Sequence, residues 1–187
     1  MRSPFPDRTL EAVGACTRAL GRLEFADAAV AHSDAATLSG LRAFGDRLAL
    51  RARFDDISIH QRSKPAKTPD SDLFDALALA RLDTIGVQWL KGVGKNLLAH
   101  PGIDPDAVRW LAFEALSGQP APREKTELVR RLRQQLPEKV IAGLGPLSGV
   151  LKDQQRFSEE AAKWVRSAIP HIPRTDTPPA GALPFEL

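Results

Sequence analysis

Apolar residues recur at intervals of three and four along most of this chain, and this spacing predicts helices rather than strands. The pattern is clearest over residues 69–91, where leucine, phenylalanine, alanine and isoleucine fall on one face. Thr68 and Asp104 are predicted to cap helices, with Pro69 and Pro105 at the first helical positions, and Gly lies near several predicted helix ends. The predicted helices span residues 7–21, 42–61, 69–91, 105–117, 123–136, 137–143 and 147–169.

Three segments interrupt this periodicity. Residues 23–31 lie in a stretch without a helical period and are predicted to form a short β-hairpin. Gly92 and Gly94 predict a loop, followed by a short helical turn at 95–99. Residues 170–187 contain five prolines and continue no apolar period, so an extended, mobile tail or the start of a linker is expected there.

The predicted fold class is therefore mostly α. Residues 1–169 are expected to form a single multi-helix domain of about six or seven helices, with at most a small β-hairpin near the N-terminus. The chain of 187 residues is long enough for one real core, and its 43% apolar content suits a globular protein. Because aromatic residues are only 6%, that core must consist mainly of Leu, Ala, Val and Ile.

Composition also bears on the compartment. No apolar run reaches the roughly 20 residues that span a bilayer, and the N-terminus, which has Asp7 and Glu11 and no long apolar core, does not resemble a secretory signal. The single cysteine, Cys16, excludes an internal disulfide and suits a reducing environment. We therefore expect a cytoplasmic protein.

The net charge of +3 is modest, and charges of both signs are interspersed. The densest basic stretch is diluted by three glutamates and comprises Arg123, Lys125, Arg130, Arg131, Arg133 and Lys139. It fits a solvated helix face or a docking surface for an anion or an acidic protein. No stretch concentrates Lys and Arg as a nucleic-acid-binding tail would.

The segment from Lys91 to Asn96 superficially resembles a phosphate-binding loop. That signature requires Gly five residues before the Gly-Lys pair and Ser or Thr after the lysine. Trp89 and Asn96 occupy those two positions, so the match fails twice. A structural or partner-facing turn that does not bind nucleotide is expected instead.

The remaining chemical motifs are weak. The sequence from Asp56 to His60 resembles the Asp-x-Ser-x-Ser start of a metal-dependent adhesion site, but His60 replaces the final hydroxyl and the segment ends a predicted helix. The four histidines do not have the i, i+4 spacing of a zinc site, and no Gly-x-Ser-x-Gly elbow is present. Carboxylates that are adjacent in sequence on a helix, such as Glu159 and Glu160, point in different directions, so they are not expected to form a catalytic acid/base pair. We predict no cofactor, no metal site and no catalytic residue, and an independent small enzyme finds no support.

Five segments match one known family in order across residues 11–169. They are EAVGACTRALGRLEFADAAV, GDRLALRARFDDISIH, FDALALARLDTIG, LKGVGKNL and DQQRFSEEAAKWVRSAI. Together they resemble the N-terminal domain of the accessory subunit of aerobic cobaltochelatase, the CobT family. Members of that family continue with an acidic low-complexity segment and a von Willebrand A-like domain with a metal site, and this chain has neither. Arg53-Phe54 also stands where a histidine often precedes the aspartate. A piece of a longer protein, or a short relative, is expected.

The resemblance implies a role in a complex. In that family the accessory subunit assembles with a hexameric AAA+ ATPase subunit, and the pair drives Co²⁺ insertion into hydrogenobyrinic acid diamide held on a large third subunit. By implication this domain is a non-catalytic docking module. The candidate docking residues are Lys91, Lys95, Arg130, Arg131 and Arg133. The alternative is a basic helical adaptor that binds nucleic acid or an acidic protein, unrelated to cobalt.

Overall fold

The computed structural model describes residues 4–101 and 107–172, and these residues form helices without any strand. The ten α-helices are α1 Asp7–Gly21, α2 Asp27–Ala31, α3 Leu38–Phe54, α4 Ile57–Ser63, α5 Asp70–Trp89, α6 Lys91–Ala99, α7 Ala107–Ser117, α8 Thr126–Gln135, α9 Glu138–Ala142 and α10 Gln154–Ala168. Short 3₁₀ helices cover Arg123–Lys125, Gly145–Val150 and Ile169–His171. The predicted mostly-α single domain is confirmed. None of the helices in this part of the chain combines the length and apolarity needed to cross a membrane.

Helix α5 is the centre of the domain. It packs against α3, α6, α7 and α10. Its buried residues fall on every face between Leu73 and Gly86, as expected for a helix surrounded by other helices. A buried ion pair links it to α7, since Asp83 Oδ2 accepts from Arg109 Nε at 2.8 Å and from Nη2 at 2.6 Å. Both side chains are about 5% exposed.

A smaller hydrophobic cluster holds the N-terminal helices together. Val13 of α1, Val30 of α2 and Leu41 of α3 are its buried members. Residues 27–31, placed by sequence in a β-hairpin, are therefore helix α2 instead. Packing of Val30 between two long helices, with none of its surface exposed, overrides the weak local pattern of this segment.

The long helix predicted over residues 42–61 is two helices. α3 begins earlier, at Leu38, because the Thr37 hydroxyl accepts a hydrogen bond from Gly40 N–H at 3.1 Å. The chain then becomes extended at Asp55 and Asp56. Asp56 caps α4 by accepting from the backbone N–H groups of Ser58 and Ile59, which starts a new helix in a new direction.

The predicted loop at Gly92–Gly94 is also wrong, because helix α6 runs from Lys91 to Ala99. The glycines do not break it. A Cβ on Gly94 would lie 3.0 Å from the Cα of Val87, so the missing side chain allows α6 to pack closely on α5. Gly92 has no such neighbour within 4 Å.

Other helix boundaries moved by smaller amounts. The last predicted helix, 147–169, is divided into a 3₁₀ helix and α10, because Asp153 caps α10 by accepting from Arg156 N–H at 3.0 Å. Pro69, rather than Thr68, occupies the cap position of α5. The predicted cap at Asp104 and the tail beyond Ile172 lie outside the described residues.

Candidate functional site

Three of the segments that carry the family resemblance meet at one place in the structure. Residues 45–60, 74–86 and 153–169 are far apart in sequence, and they belong to α3 and α4, to α5, and to α10 respectively. Side chains from each segment bond to the backbone or side chains of another. The contacts are local to the C-terminal end of α3 and the N-terminal end of α10.

Gln154, the first residue of α10, joins α10 to the link between α3 and α4. Its Oε1 accepts from Asp56 N–H at 2.7 Å. Its Nε2 donates to Asp55 Oδ1 at 2.8 Å and to the Asp56 carbonyl at 3.0 Å. One amide side chain therefore satisfies the polar groups where α3 ends and the chain changes direction.

Arg81 of α5 also bonds to the backbone at this junction. It is 4% exposed. Its Nε donates to the Leu151 carbonyl at 2.8 Å, and its Nη1 donates to the Phe54 carbonyl at 2.9 Å. The guanidinium also lies 5.7 Å from the ring centre of Phe157. A single buried arginine thus holds the end of α3 and the segment before α10 at a fixed separation.

A third tie links α4 to α5. His60 Nε2 lies 2.9 Å from Asp75 Oδ1, and Lys64 Nζ donates to the other oxygen of Asp75. Burial raises the pKa of Asp75, but the hydrogen bonds from His60 and Lys64 outweigh burial and hold the pKa below its usual value. His60, predicted to lie at a helix end, therefore anchors the last turn of α4 to the central helix.

The contacts of Gln154 and Arg81 adjoin a solvent-accessible cleft of about 890 Å³, whereas the His60–Asp75 contact is not part of its lining. One side consists of residues from α3 and α5: Arg53, Phe54, Ile85, Gln88 and Trp89. The other side consists of residues 148–153 and Arg156. A recess of about 400 Å³ shares Arg53, Phe54 and Lys152 with it and also contacts Asp55, Asp56, Arg81 and Gln154. We call the larger space the Arg53 cleft.

Arg53 is held over the aromatic side of this cleft. Its guanidinium carbon lies 4.7 Å from the ring centre of Trp89 and 5.8 Å from that of Phe54. The two rings meet edge to face, with centres 5.3 Å apart. Nη1 of Arg53 donates to the Leu20 carbonyl at 3.2 Å. Since a guanidinium has five N–H donors, most of them are left for other partners.

The carboxylates near the cleft serve the backbone. Asp56 accepts from Ser58 Oγ at 2.6 Å as well as from two backbone N–H groups, and these bonds lower its pKa. The resemblance of this segment to a metal-dependent adhesion site therefore has a local cause, because the aspartate and the serine form a helix cap. Within residues 4–101 and 107–172, no three His, Cys, Asp or Glu side chains form a group that could hold a metal ion.

The structure separates the predicted docking residues into two groups. Lys91 and Lys95 are exposed on α6, which packs on α3 and α5. Their side chains have no hydrogen-bond or ion-pair partner in the described part of the chain. Arg130, Arg131 and Arg133 lie on α8, which packs on α7. Neither group lines the Arg53 cleft.

Each of the three arginines on α8 is paired with a glutamate. Arg130 and Arg131 both bond to Glu127, at 2.7 and 2.8 Å, and Arg133 bonds to Glu114 at 2.6 Å. Hydrogen bonds from Arg130 and then Arg131 lower the pKa of Glu127 to about 2. The three arginines of α8 are thus paired with two glutamates. Docking through Lys91, Lys95 and the α8 arginines stays a prediction.

Sequence patterns missed the residues that the cleft brings together. Arg53, Trp89, Lys152 and Arg156 come from three parts of the chain, and no spacing rule connects them. Arg81 was detectable in principle, because a charged residue interrupts the apolar face of α5 and a buried arginine requires several acceptors. Gln154 lies in the segment DQQRFSEEAAKWVRSAI, which the sequence analysis used for the family resemblance but not to predict a contact.

A family model described as cobalamin biosynthesis protein CobT matches residues 28–168. The matched range contains every residue that lines the Arg53 cleft, and it contains Gln154, Arg81 and the His60–Asp75 pair. No solved structure matches the chain.

Proposed function

Because the chain belongs to the CobT family of cobalamin biosynthesis proteins, we propose that it is a non-catalytic protein-interaction module of an ATP-driven cobaltochelatase. In this proposal the domain docks the AAA+ ATPase subunit. It thereby couples that subunit to the large subunit that holds hydrogenobyrinic acid diamide during Co²⁺ insertion. ATP hydrolysis and binding of the ring belong to those other subunits.

The observation that carries the proposal is the junction of α3, α5 and α10. Gln154 and Arg81 together make five hydrogen bonds of 2.7–3.0 Å that fix the ends of two helices around an open cleft. A rigid surface loses little conformational entropy when a partner binds, which favours docking. The cleft beside these bonds is lined by Arg53, Trp89 and Arg156 among others, and arginine and aromatic side chains are enriched at protein interfaces.

The alternative, a basic adaptor for nucleic acid, has weaker support. Phosphate binding requires cations that are free to replace counterions. Three members of the densest basic stretch are already engaged, since Arg130 and Arg131 share Glu127 and Arg133 pairs with Glu114.

Capture of the matched AAA+ subunit by the immobilised chain tests the proposal. We expect capture that differs between ATP, ADP and no nucleotide, with no capture of an unrelated AAA+ ATPase. Absence of capture in every nucleotide state would contradict the proposal. ATP binding by the isolated chain, lost on Lys95→Ala, would also contradict it and would restore a nucleotide-binding role for α6.

The same assay examines the predicted docking residues. Lys91→Glu combined with Lys95→Glu should leave folding nearly intact, because both side chains are exposed and unpaired among the described residues. If α6 faces the partner, this variant should mainly slow association. Arg130→Glu combined with Arg131→Glu applies the same charge change to α8. Unchanged capture by both variants would exclude these residues from the docking surface.

A further inference from the structure

We propose that the Arg53 cleft binds an extended acidic segment of a protein partner. The carboxylates of that segment would pair with Arg53, Lys152 and Arg156, and one of its apolar side chains would pack on Trp89 and Phe54. The inference rests on the proposed function only in assigning the segment to a chelatase subunit. The chemistry of the ligand follows from the cleft itself.

The cationic side chains of the cleft form no ion pair in the described part of the chain. Lys152 and Arg156 are exposed, and their side chains have no hydrogen-bond or ion-pair partner among residues 4–101 and 107–172. Arg53 donates one hydrogen bond to the Leu20 carbonyl, and its guanidinium group otherwise stacks on aromatic rings. The three cations line one space, so the charge of an anionic ligand bound there would be close to all of them.

The nearby carboxylates do not neutralise these cations. Asp153 lines the cleft but caps α10 by accepting from Arg156 N–H, and Asp55 accepts from Gln154 Nε2. Asp56 caps α4. All three acids are engaged with backbone or amide donors, in contrast to the glutamates near α8, which pair directly with arginines.

The geometry is fixed before any ligand binds. Arg81 bonds to the carbonyls of Phe54 and Leu151, which line the cleft on its two sides. Arg53 is held by stacking on Trp89 at 4.7 Å and by its bond to the α1 backbone. Because the Arg53 side chain is already held, it loses little entropy when an anionic group binds to it.

A peptide segment suits the cleft better than nucleic acid does. A volume of about 890 Å³ accommodates a few side chains rather than a duplex. The exposed aromatic surface of Trp89 and Phe54 offers an apolar contact that acidic residues alone would not use, which favours a segment of mixed acidic and apolar composition.

Trp89 provides a built-in reporter. The other two tryptophans, Trp110 and Trp164, are at most 4% exposed, whereas Trp89 is partly exposed in the cleft.

The full chain is titrated with a synthetic Glu-rich peptide that carries one central Leu, and binding is followed by tryptophan fluorescence and by calorimetry. We expect saturable binding that shifts the fluorescence and weakens as salt is added. The same peptide with Gln in place of Glu should not bind.

Charge removal locates the site. Lys152→Gln combined with Arg156→Gln should weaken binding of the Glu-rich peptide roughly five- to tenfold, since each partly exposed ion pair contributes a modest amount. The matched control, Arg130→Gln combined with Arg131→Gln, removes the same charge from α8 and should leave affinity within about twofold. Equal weakening by both variants, or none by the first, would overturn the proposal. Cleft-dependent binding of citrate or of duplex DNA as tight as that of the peptide would also overturn it.

The outcome is separable from that of the proposed function. Failure of the peptide to bind, with capture of the AAA+ subunit intact and unaffected by the cleft variant, removes this inference and leaves the proposed function standing. Cleft-dependent peptide binding without capture of any chelatase subunit supports the inference and removes the proposed function.

Discussion

Helix α8 and the Arg53 cleft are both basic, but they differ in how their charge is arranged. The α8 arginines are close together in sequence, and each is bonded to Glu127 or Glu114. The cleft cations are separated by up to about a hundred residues in the chain, yet they line one space without acidic partners of their own. A dense run of basic residues on a helix therefore does not define a cationic surface. Tertiary structure and local pairing decide which charges are available to a partner.

The largest expected effect comes from the buried arginine that holds the cleft together. Arg81→Met keeps an unbranched apolar stem but leaves the carbonyls of Phe54 and Leu151 without their donor. Because unsatisfied buried acceptors are costly, we expect the free energy of unfolding to fall by about 3 kcal/mol, measured by urea denaturation. Binding of the Glu-rich peptide should fall as well.

The control for this change is Arg131→Met on α8, which removes an arginine that is 70% exposed. It should alter stability by less than about 0.5 kcal/mol. Similar losses for the two variants would contradict the distinction between a cleft built by buried contacts and a solvated basic face.

The next effect concerns Gln154, which bonds both to Asp55 and to the backbone of Asp56. Gln154→Ala removes three hydrogen bonds at a partly buried junction and should destabilise the fold by about 1–2 kcal/mol. The adjacent Gln155 makes one exposed bond, to Glu159. Gln155→Ala should therefore change stability by less than about 0.5 kcal/mol. Equal unfolding midpoints for the two variants would show that Gln154 does not anchor the cleft.

The sequence was informative where packing agrees with local pattern. Helix α1 has the predicted bounds, and α5 was predicted to within two residues at each end, because a sustained apolar period and clear end residues occur together there. Asp56 shows where local pattern failed. Its side chain starts a new helix inside a stretch whose apolar spacing alone continues.

The candidate site was less predictable than the fold. Each side of the Arg53 cleft is built from residues that are ordinary in their own segment, such as Lys152 in a turn and Trp89 at a helix end. Their proximity depends on how α3, α5 and α10 pack, which no single-segment pattern encodes. The ion pairs of the α8 arginines were also only partly predictable. Those with Glu127 have helical spacing, whereas Glu114 lies on another helix and pairs with Arg133 only in the folded chain.

A smaller effect is expected in α6, the third basic region, where two glycines stand in different surroundings. Gly94→Ala places a Cβ 3.0 Å from the backbone of Val87, so α6 must shift away from α5, and we expect a loss of about 1 kcal/mol. Gly92→Ala meets nothing within 4 Å and should gain about 0.5 kcal/mol through better helix propensity. Thermal unfolding distinguishes the two. If both substitutions were neutral, the segment would behave as the loop predicted from sequence rather than as a packed helix.

The smallest expected effect is a pH dependence of stability. It compares the contact between α4 and α5 with the ion pairs of α8. The folded-state pKa of Asp75 lies below its ordinary value because His60 and Lys64 bond to the carboxylate against the opposing effect of burial. The stabilisation is therefore present above the unfolded-state pKa of about 4 and is lost as pH falls through the lower folded-state pKa. Asp75→Asn should reduce stability at neutral pH by less than about 1 kcal/mol, since these groups are about one-third exposed.

This difference between Asp75→Asn and the parent chain should shrink as pH falls below 4 and should persist in high salt. Glu127→Gln, which removes the exposed acidic partner of Arg130 and Arg131, should show a difference that salt screens more strongly. Urea denaturation across pH at low and high salt measures both. The Asp75 variant could instead lose its effect in salt as readily as the Glu127 variant. The contact between α4 and α5 would then be no more than a surface ion pair, and it would not differ from those on the solvated face of α8.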